Sequence, residues 1–132
     1  MKAVSARITK ALNVGSRIIC ADNSGASILE IIAVKGYKGV KSRSPRCGVS
    51  NLVVCTVKEG NVKIKHEIVQ AVIVRQKKEY RRPSGLRIKF EDNAAVLVNE
   101  KGEPRGTRIK GPIAKEVVER FSTIGKIATT VI

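Results

Sequence analysis

Two apolar blocks bracket the most basic stretch of this chain. Ala71-Val72-Ile73-Val74 runs into Arg75-Gln76-Lys77-Lys78-Glu79-Tyr80-Arg81-Arg82-Pro83-Ser84-Gly85, and Leu86, Ile88 and Phe90 lead back to Asn93-Ala94-Ala95-Val96-Leu97-Val98. β-Branched and aromatic residues bounded by Pro-Ser-Gly and Glu-Asp-Asn read as strand, basic loop, strand, turn, strand. The apolar half needs a core to bury it. The cationic half must lie in water or against a polyanion.

The rest of the chain repeats the theme. Arg17 to Ala21 reads as a short strand closed by the turn cluster Asp22-Asn23-Ser24-Gly25, and Ile28 to Val34 as its longer, nearly continuously apolar hairpin partner. Between Lys35 and Arg46 there are Lys35, Lys38, Lys41, Arg43 and Arg46 with glycine, serine and proline, and no acid. Strand character returns from Val49 to Val57 and ends at Lys58-Glu59-Gly60-Asn61, a tight-turn signal. Val62-Lys63-Ile64-Lys65 alternates as a half-exposed strand or surface hairpin would.

After the turn at Asn99 to Gly106 and a short extended piece at Thr107 to Lys110 comes a helical segment, expected over about residues 112–130. Pro112 suits a first helical position, where its missing donor costs nothing. Ile113, Val117, Val118 and Phe121 then share one face, and Glu116 and Arg120 pair at helical spacing on the other. Short strands joined by short turns, with helix only at the end, indicate a mainly β fold that closes into a small barrel and so removes exposed sheet edges. A chain of 132 residues has room for one such domain, spanning 1–132.

Twenty-six Lys and Arg against eleven Asp and Glu give a formal net charge of +15. Sixteen of the 26 lie in segments 35–46, 75–89 and 101–110, which together hold only two acids, Glu79 and Glu103. Cations segregated onto loops can reach phosphates spread over a folded nucleic acid while a rigid core holds the loops apart. A surface built only for solubility would mix both signs. A membrane is the competing polyanion, but there is no basic amphipathic helix and no apolar run near the roughly 18 residues a span needs. The start, Met1-Lys2-Ala3-Val4-Ser5-Ala6-Arg7, lacks the apolar core of a secretory signal, so a cytoplasmic location is expected.

Catalytic and metal chemistry find little support. Cys20, Cys47 and Cys55 have no C-x-x-C spacing and His66 lies apart from them, whereas a zinc site needs about four ligands, usually in close pairs. Structural thiols are the better reading, and no metal or cofactor is expected. Asp22 and Asp92 each precede an asparagine in a turn sequence, a structural position. With four aromatic residues and no tryptophan, the strands offer no stacking platform for single-stranded RNA. Tyr37 and Tyr80 fall inside basic loops, where each either packs the base of its loop or stacks on one splayed base. Gly36-Tyr37-Lys38-Gly39 has the G-x-x-G form that clamps nucleotide backbones, although a plain turn is the commoner use of such a sequence.

The stretch from Ala71 to Val98 also resembles a known signature. A small residue, three aliphatics, a nine-residue basic spacer, Ser84-Gly85, then Phe90, Asn93 and Val96-Leu97 at fixed offsets are similar to the universal large-subunit ribosomal protein fourteen family. The likeness extends through Ala21-Asp22-Asn23-Ser24-Gly25-Ala26 and Gly106-Thr107-Arg108-Ile109-Lys110-Gly111-Pro112, and so over nearly the whole chain. Val34-Lys35-Gly36-Tyr37-Lys38-Gly39 and Phe90-Glu91-Asp92-Asn93 look closer to the archaeal and eukaryotic branch. Where members commonly carry Gly-Val-Gly-Asp, this chain has Gly48-Val49-Ser50-Asn51.

The resemblance implies a closed five-stranded β-barrel with a short C-terminal helical part. It also implies a structural, non-enzymatic constituent of the large ribosomal subunit, binding large-subunit rRNA and contributing to an intersubunit bridge with small-subunit rRNA. Implied neighbours are large-subunit proteins of the three and nineteen or twenty-four types and the anti-association sixth initiation factor. The rRNA contacts expected on the basic segments are Lys35, Lys38, Lys41, Arg43, Arg46, Arg75, Lys77, Lys78, Arg81, Arg82, Lys101 and Arg105. The correspondence assigns Thr107, Arg108, Lys115 and Arg120 to the subunit face. A free, chaperone-like RNA-binding barrel is the alternative and would carry stacking aromatics on its strands; an RNA-processing enzyme would depend on one acid or on His66.

Overall fold

The structure, a computed structural model, describes residues 3–132. Met1 and Lys2, the first residues of the stretch read as no secretory signal, lie outside the described residues. In chain order the elements are β1 (Leu12–Asn13), β2 (Arg17–Cys20), β3 (Ala26–Val34), β4 (Arg46–Cys47), β5 (Leu52–Gly60), β6 (Ile68–Arg75), β7 (Tyr80–Arg81), β8 (Arg87–Ile88) and β9 (Ala94–Val98). Then follow β10 (Pro112–Ile113), α1 (Lys115–Arg120), α2 (Ser122–Ile127) and β11 (Thr130–Val131).

Strands β2-β3-β5-β6-β9 form a closed barrel in that order. Neighbours are antiparallel except at the closure, where β2 and β9 run parallel with Ile19 opposite Ala94. Leu29, Ile31, Val53, Cys55, Val57, Ala71, Ile73, Ala95 and Leu97 fill the interior. On the outer faces of β6 and β9, Val72, Val74, Val96 and Val98 pack with Tyr80, Ile109, Ile113, Val117 and Ile124 in a second apolar cluster. These two strands are therefore covered on both faces, which is why they read as unbroken apolar runs. β3, though nearly continuously apolar in sequence, alternates: Leu29 and Ile31 point in, and Ile32 is exposed on the uncovered side of the barrel.

Three local readings differ from the structure. β5 continues through Gly60 instead of turning at Lys58, because β3 and β5 approach too closely there for any side chain. A Cβ on Gly60 would lie 2.6 Å from the Gly25 carbonyl oxygen. Residues 62–65 are consequently a compact turn, with the Lys65 amide donating to Asn61 O and Ile64 plugging the barrel end. The basic stretch after β6 is a hairpin rather than one loop, since Tyr80 pairs with Ile88 and Arg81 with Arg87.

The helical segment is also shorter than 112–130. Pro112 lies in β10, paired in parallel with Thr130, and α1 starts only at Lys115. The segment before α1 is tied to the barrel in extended form, with the Ala114 amide donating to Val74 O and Arg75 donating to Pro112 O. Pairing with β11 holds Pro112 and Ile113 extended, and Ala114, also extended at ψ 143°, is the residue from which the helix starts.

Candidate nucleic-acid interface

Segment 35–46 leaves the barrel at the end of β3 and returns through β4. Lys35, Lys38, Lys41, Arg43 and Arg46 are all exposed, and none makes an ion pair among the described residues. The half-buried Tyr37 folds the segment back on itself, its hydroxyl donating toward Ser44 O at 3.3 Å, so this tyrosine packs its own loop. Ser42, Arg43, Ser44 and Arg46 line a shallow cavity of about 290 Å³ at the far side. Gly36 takes φ +78° in a plain turn after Val34, the bland reading of the Gly-Tyr-Lys-Gly sequence.

Segment 75–89 divides into an outward and an inward set. Lys77, Lys78 and Arg81 are exposed, as are Arg87 and Lys89, which the sequence reading had not singled out. Their position opposite Arg81 and after β8 was the available signal. Arg75 and Arg82, expected among the rRNA contacts, are turned inward. Arg75 is buried, its Nε and Nη2 donating to the two oxygens of Asp92 at 2.7 and 3.2 Å and its Nη1 to Lys110 O and Pro112 O. A register shift between Ile73 and Arg75 turns that side chain off the strand and into the body of the protein. Arg82 donates from Nε to the Glu116 carboxylate at 2.9 Å and from Nη2 to Ile132 O at 2.6 Å.

Glu116 is itself fully buried and also accepts the Tyr80 hydroxyl at 2.8 Å. Its partners are thus Tyr80 and Arg82 on the hairpin, in place of the helical pairing expected with Arg120. Tyr80 has no exposed surface, so it packs rather than stacks, and burial followed by the hydrogen bond to Glu116 raises its phenol well above the usual range. A charge buried with this many partners is tolerated because each partner replaces part of the lost hydration.

Gln76, absent from the sequence reading, brings the two segments together. It is fully buried, accepts the Val49 amide at 2.9 Å, and donates to Thr9 O and Lys78 O. The returning limb of segment 35–46 and the start of segment 75–89 are therefore fastened at one end of the barrel. The strand register agrees, since Val34 pairs with Val53 and Leu52 with Val72.

The third basic segment follows β9 at the opposite end, where Gln70 pairs with Val98. Lys101 and Arg105 are exposed, and Arg105 forms a loose pair with Glu67 at 3.5 Å. Asn23 accepts the amides of Thr107 and Arg108, orienting that strip so that both side chains face outward, and Lys115 is exposed on α1. Arg120 is half-buried and donates from Nη1 to Ser50 O at 3.2 Å.

The remaining reactive groups are structural. All three cysteines are free and buried, and burial above all pushes each thiol up to about 12. Asp22 accepts the Leu97 amide with one oxygen and the Ser24 amide with the other, holding the corner between β2 and β3 against β9. His66 is exposed in the turn after β5. No group of acids, histidines and thiols among the described residues is arranged to hold a metal ion, and none of their helices is long and apolar enough to cross a membrane.

Comparison with known proteins bears on this surface. A protein-family model described as ribosomal protein L14p/L23e matches residues 11–132. The proteins named large ribosomal subunit protein uL14 from Methanocorpusculum labreanum, Methanoregula boonei and Halorubrum lacusprofundi are 53%, 48% and 48% identical over 132 residues, covering the whole of both chains in each case. With a closed five-stranded barrel, two cation-bearing segments fastened at one end and likeness along its full length to these archaeal proteins, the chain belongs to the ribosomal protein L14p/L23e family.

Proposed function

We propose that this chain, a structural and non-enzymatic constituent of the large ribosomal subunit, binds large-subunit rRNA chiefly through the barrel end that carries segments 35–46 and 75–89. The observation that carries the reading is the state of Lys35, Lys38, Lys41, Arg43 and Arg46. Five exposed cations lie within one segment that contains no acid, and none has an ion pair among the described residues to relieve it. Mutual repulsion of that kind is relieved by a polyanion, and phosphates of a folded RNA supply it. Lys77, Lys78 and Arg81 extend the same surface, and Lys101 and Arg105 form a smaller one at the other end. Arg75 and Arg82 act from inside, by holding the surface in shape.

Thr107, Arg108 and Lys115 form the part of the C-terminal region proposed to face the small subunit and its rRNA; Arg120 supports it from beneath through Ser50. The family resemblance extends the proposal to large-subunit neighbours of the three and nineteen or twenty-four types and to the sixth initiation factor. The free-barrel alternative loses ground because the five barrel strands carry no aromatic residue on which a base could stack.

Sedimentation of a cell lysate through a sucrose gradient in low and high salt tests the reading, with this chain quantified across fractions. Migration with the large subunit through the salt wash is expected. Recovery near the top of the gradient, or ready release in salt, refutes integral rRNA binding.

A further inference from the structure

The hairpin β7–β8 does not stand alone, because the N-terminal segment lies against it through a single antiparallel bridge at Arg7. Arg7 bridges Arg81 in antiparallel register, its amide donating to Arg81 O at 3.0 Å, and Arg81 in turn pairs with Arg87. Directly opposed residues project from the same face of a sheet. Alternation along each strand supports this placement: Tyr80 is buried, Ile88 is half-buried, and Ala6 and Ile8 on either side of Arg7 pack into the outer apolar cluster. Arg7, Arg81 and Arg87 therefore stand side by side on the outward face, and all three are exposed.

We infer that these three arginines form one ladder that binds consecutive phosphates of a single RNA strand. The inference rests on the rRNA-binding reading and deepens it. Adjacent strands lie about 4.8 Å apart, so the ladder spans about 10 Å before the side chains extend. That is the scale of neighbouring phosphates on one strand. Like charges directly opposite one another destabilise a sheet, and here two such pairs share the central Arg81. None of the three guanidinium groups forms an ion pair among the described residues; Glu79, the nearby acid that feels Arg87, is paired with Lys78 at 3.5 Å. The planar fork of arginine suits phosphate oxygens bidentately, which lysine cannot reproduce. The ladder reads backbone rather than sequence.

The inward face of the hairpin fixes the ladder in place. Tyr80 and Arg82 are anchored on the buried Glu116 carboxylate, and the Arg82 amide closes the hairpin on Leu86 O at 2.9 Å. The site is thus built before RNA arrives, and Arg7 joins the two hairpin arginines from a part of the chain that no local sequence motif links to them.

The test is the salt dependence of binding by the full chain to transcribed large-subunit rRNA and to poly(U), for Arg7→Ala, Arg81→Ala, Arg87→Ala, the triple alanine variant and the triple lysine variant. Each single alanine is expected to lower the log–log salt slope by about 0.7–0.9, and the triple by about 2–3. The triple lysine variant should keep the slope and lose affinity at every salt concentration. In the free protein, each alanine should leave Tm unchanged or raise it at low salt, because repulsion has been removed.

An unchanged slope for Arg7→Ala beside a reduced one for Arg81→Ala overturns the ladder. So does a lower Tm for the exposed variants, which would mean that these side chains are held by the protein. Reduced slopes confined to variants of segment 35–46 defeat the ladder and leave the rRNA reading intact. Absence of rRNA binding by the wild-type chain defeats both.

Discussion

Ser50 is the residue whose replacement should most clearly improve this protein. It follows Val49 in the turn into β5 and has φ +72°, a left-handed backbone that a non-glycine residue adopts at a cost of about 1–2 kcal/mol. It is also fully buried, and its hydroxyl oxygen has no hydrogen-bond partner among the described residues, a loss of about 1–3 kcal/mol for a desolvated polar group. Its backbone is fully used, the amide donating to Ile73 O at 2.9 Å and the carbonyl accepting from Arg120, so the turn does not depend on the side chain.

Ser50→Ala removes only the hydroxyl and should stabilise by about 1–3 kcal/mol. Ser50→Gly also removes the left-handed strain, but gives back roughly 0.5–1 kcal/mol of chain entropy and about 0.8 kcal/mol of buried Cβ. The glycine variant should therefore also gain about 1–3 kcal/mol, within about 1 kcal/mol of alanine. At roughly 4 °C per kcal/mol for a domain of this size, calorimetry should show a rise of about 4–12 °C for each. A Ser50→Ala protein no more stable than wild type would refute the argument that the hydroxyl is orphaned. A Ser50→Gly protein well below Ser50→Ala would refute the strain.

Other replacements separate surface from scaffold. Arg81→Ala should fold normally and bind rRNA with a salt slope lower by about one, whereas Arg82→Ala should leave the slope unchanged and cost about 3–5 kcal/mol in urea denaturation, because Glu116 is left buried and unpaired. Gln76→Leu should lower stability by about 1–3 kcal/mol for each polar group it abandons, and the Val49 amide, which Gln76 accepts, should lose hydrogen-exchange protection. Gly60→Ala forces a contact with the Gly25 carbonyl and should destabilise by about 1–3 kcal/mol, read as a lower urea midpoint.

The three thiols should resist alkylation at neutral pH and react once the chain is unfolded, which a mass shift would reveal. Their folded values, raised to about 12 from 9.0, mean that the unfolded state ionises first. Stability from this source is fully present below pH 9 and falls as pH rises toward 12. An alkaline titration of the unfolding midpoint checks the sign.

The sequence by itself determined the class of fold and the class of partner. Apolar, β-branched runs, turn residues between them and helix only near the end are local signals, each set by the nearest few residues, and they lead to a small barrel. Cation segregation is also legible without coordinates, since counting acids in segments 35–46 and 75–89 needs no geometry. Tertiary structure alone decided which cations face outward. Arg75 and Arg81 look alike in sequence, but a register shift and the acids Asp92 and Glu116, far along the chain, draw Arg75 and Arg82 inside. Gln76 reads as one polar residue in a basic run until folding sets Thr9, Val49 and Lys78 around it. The alignment of Arg7, Arg81 and Arg87 depends on strand register between distant segments, a long-range property that no window of sequence contains.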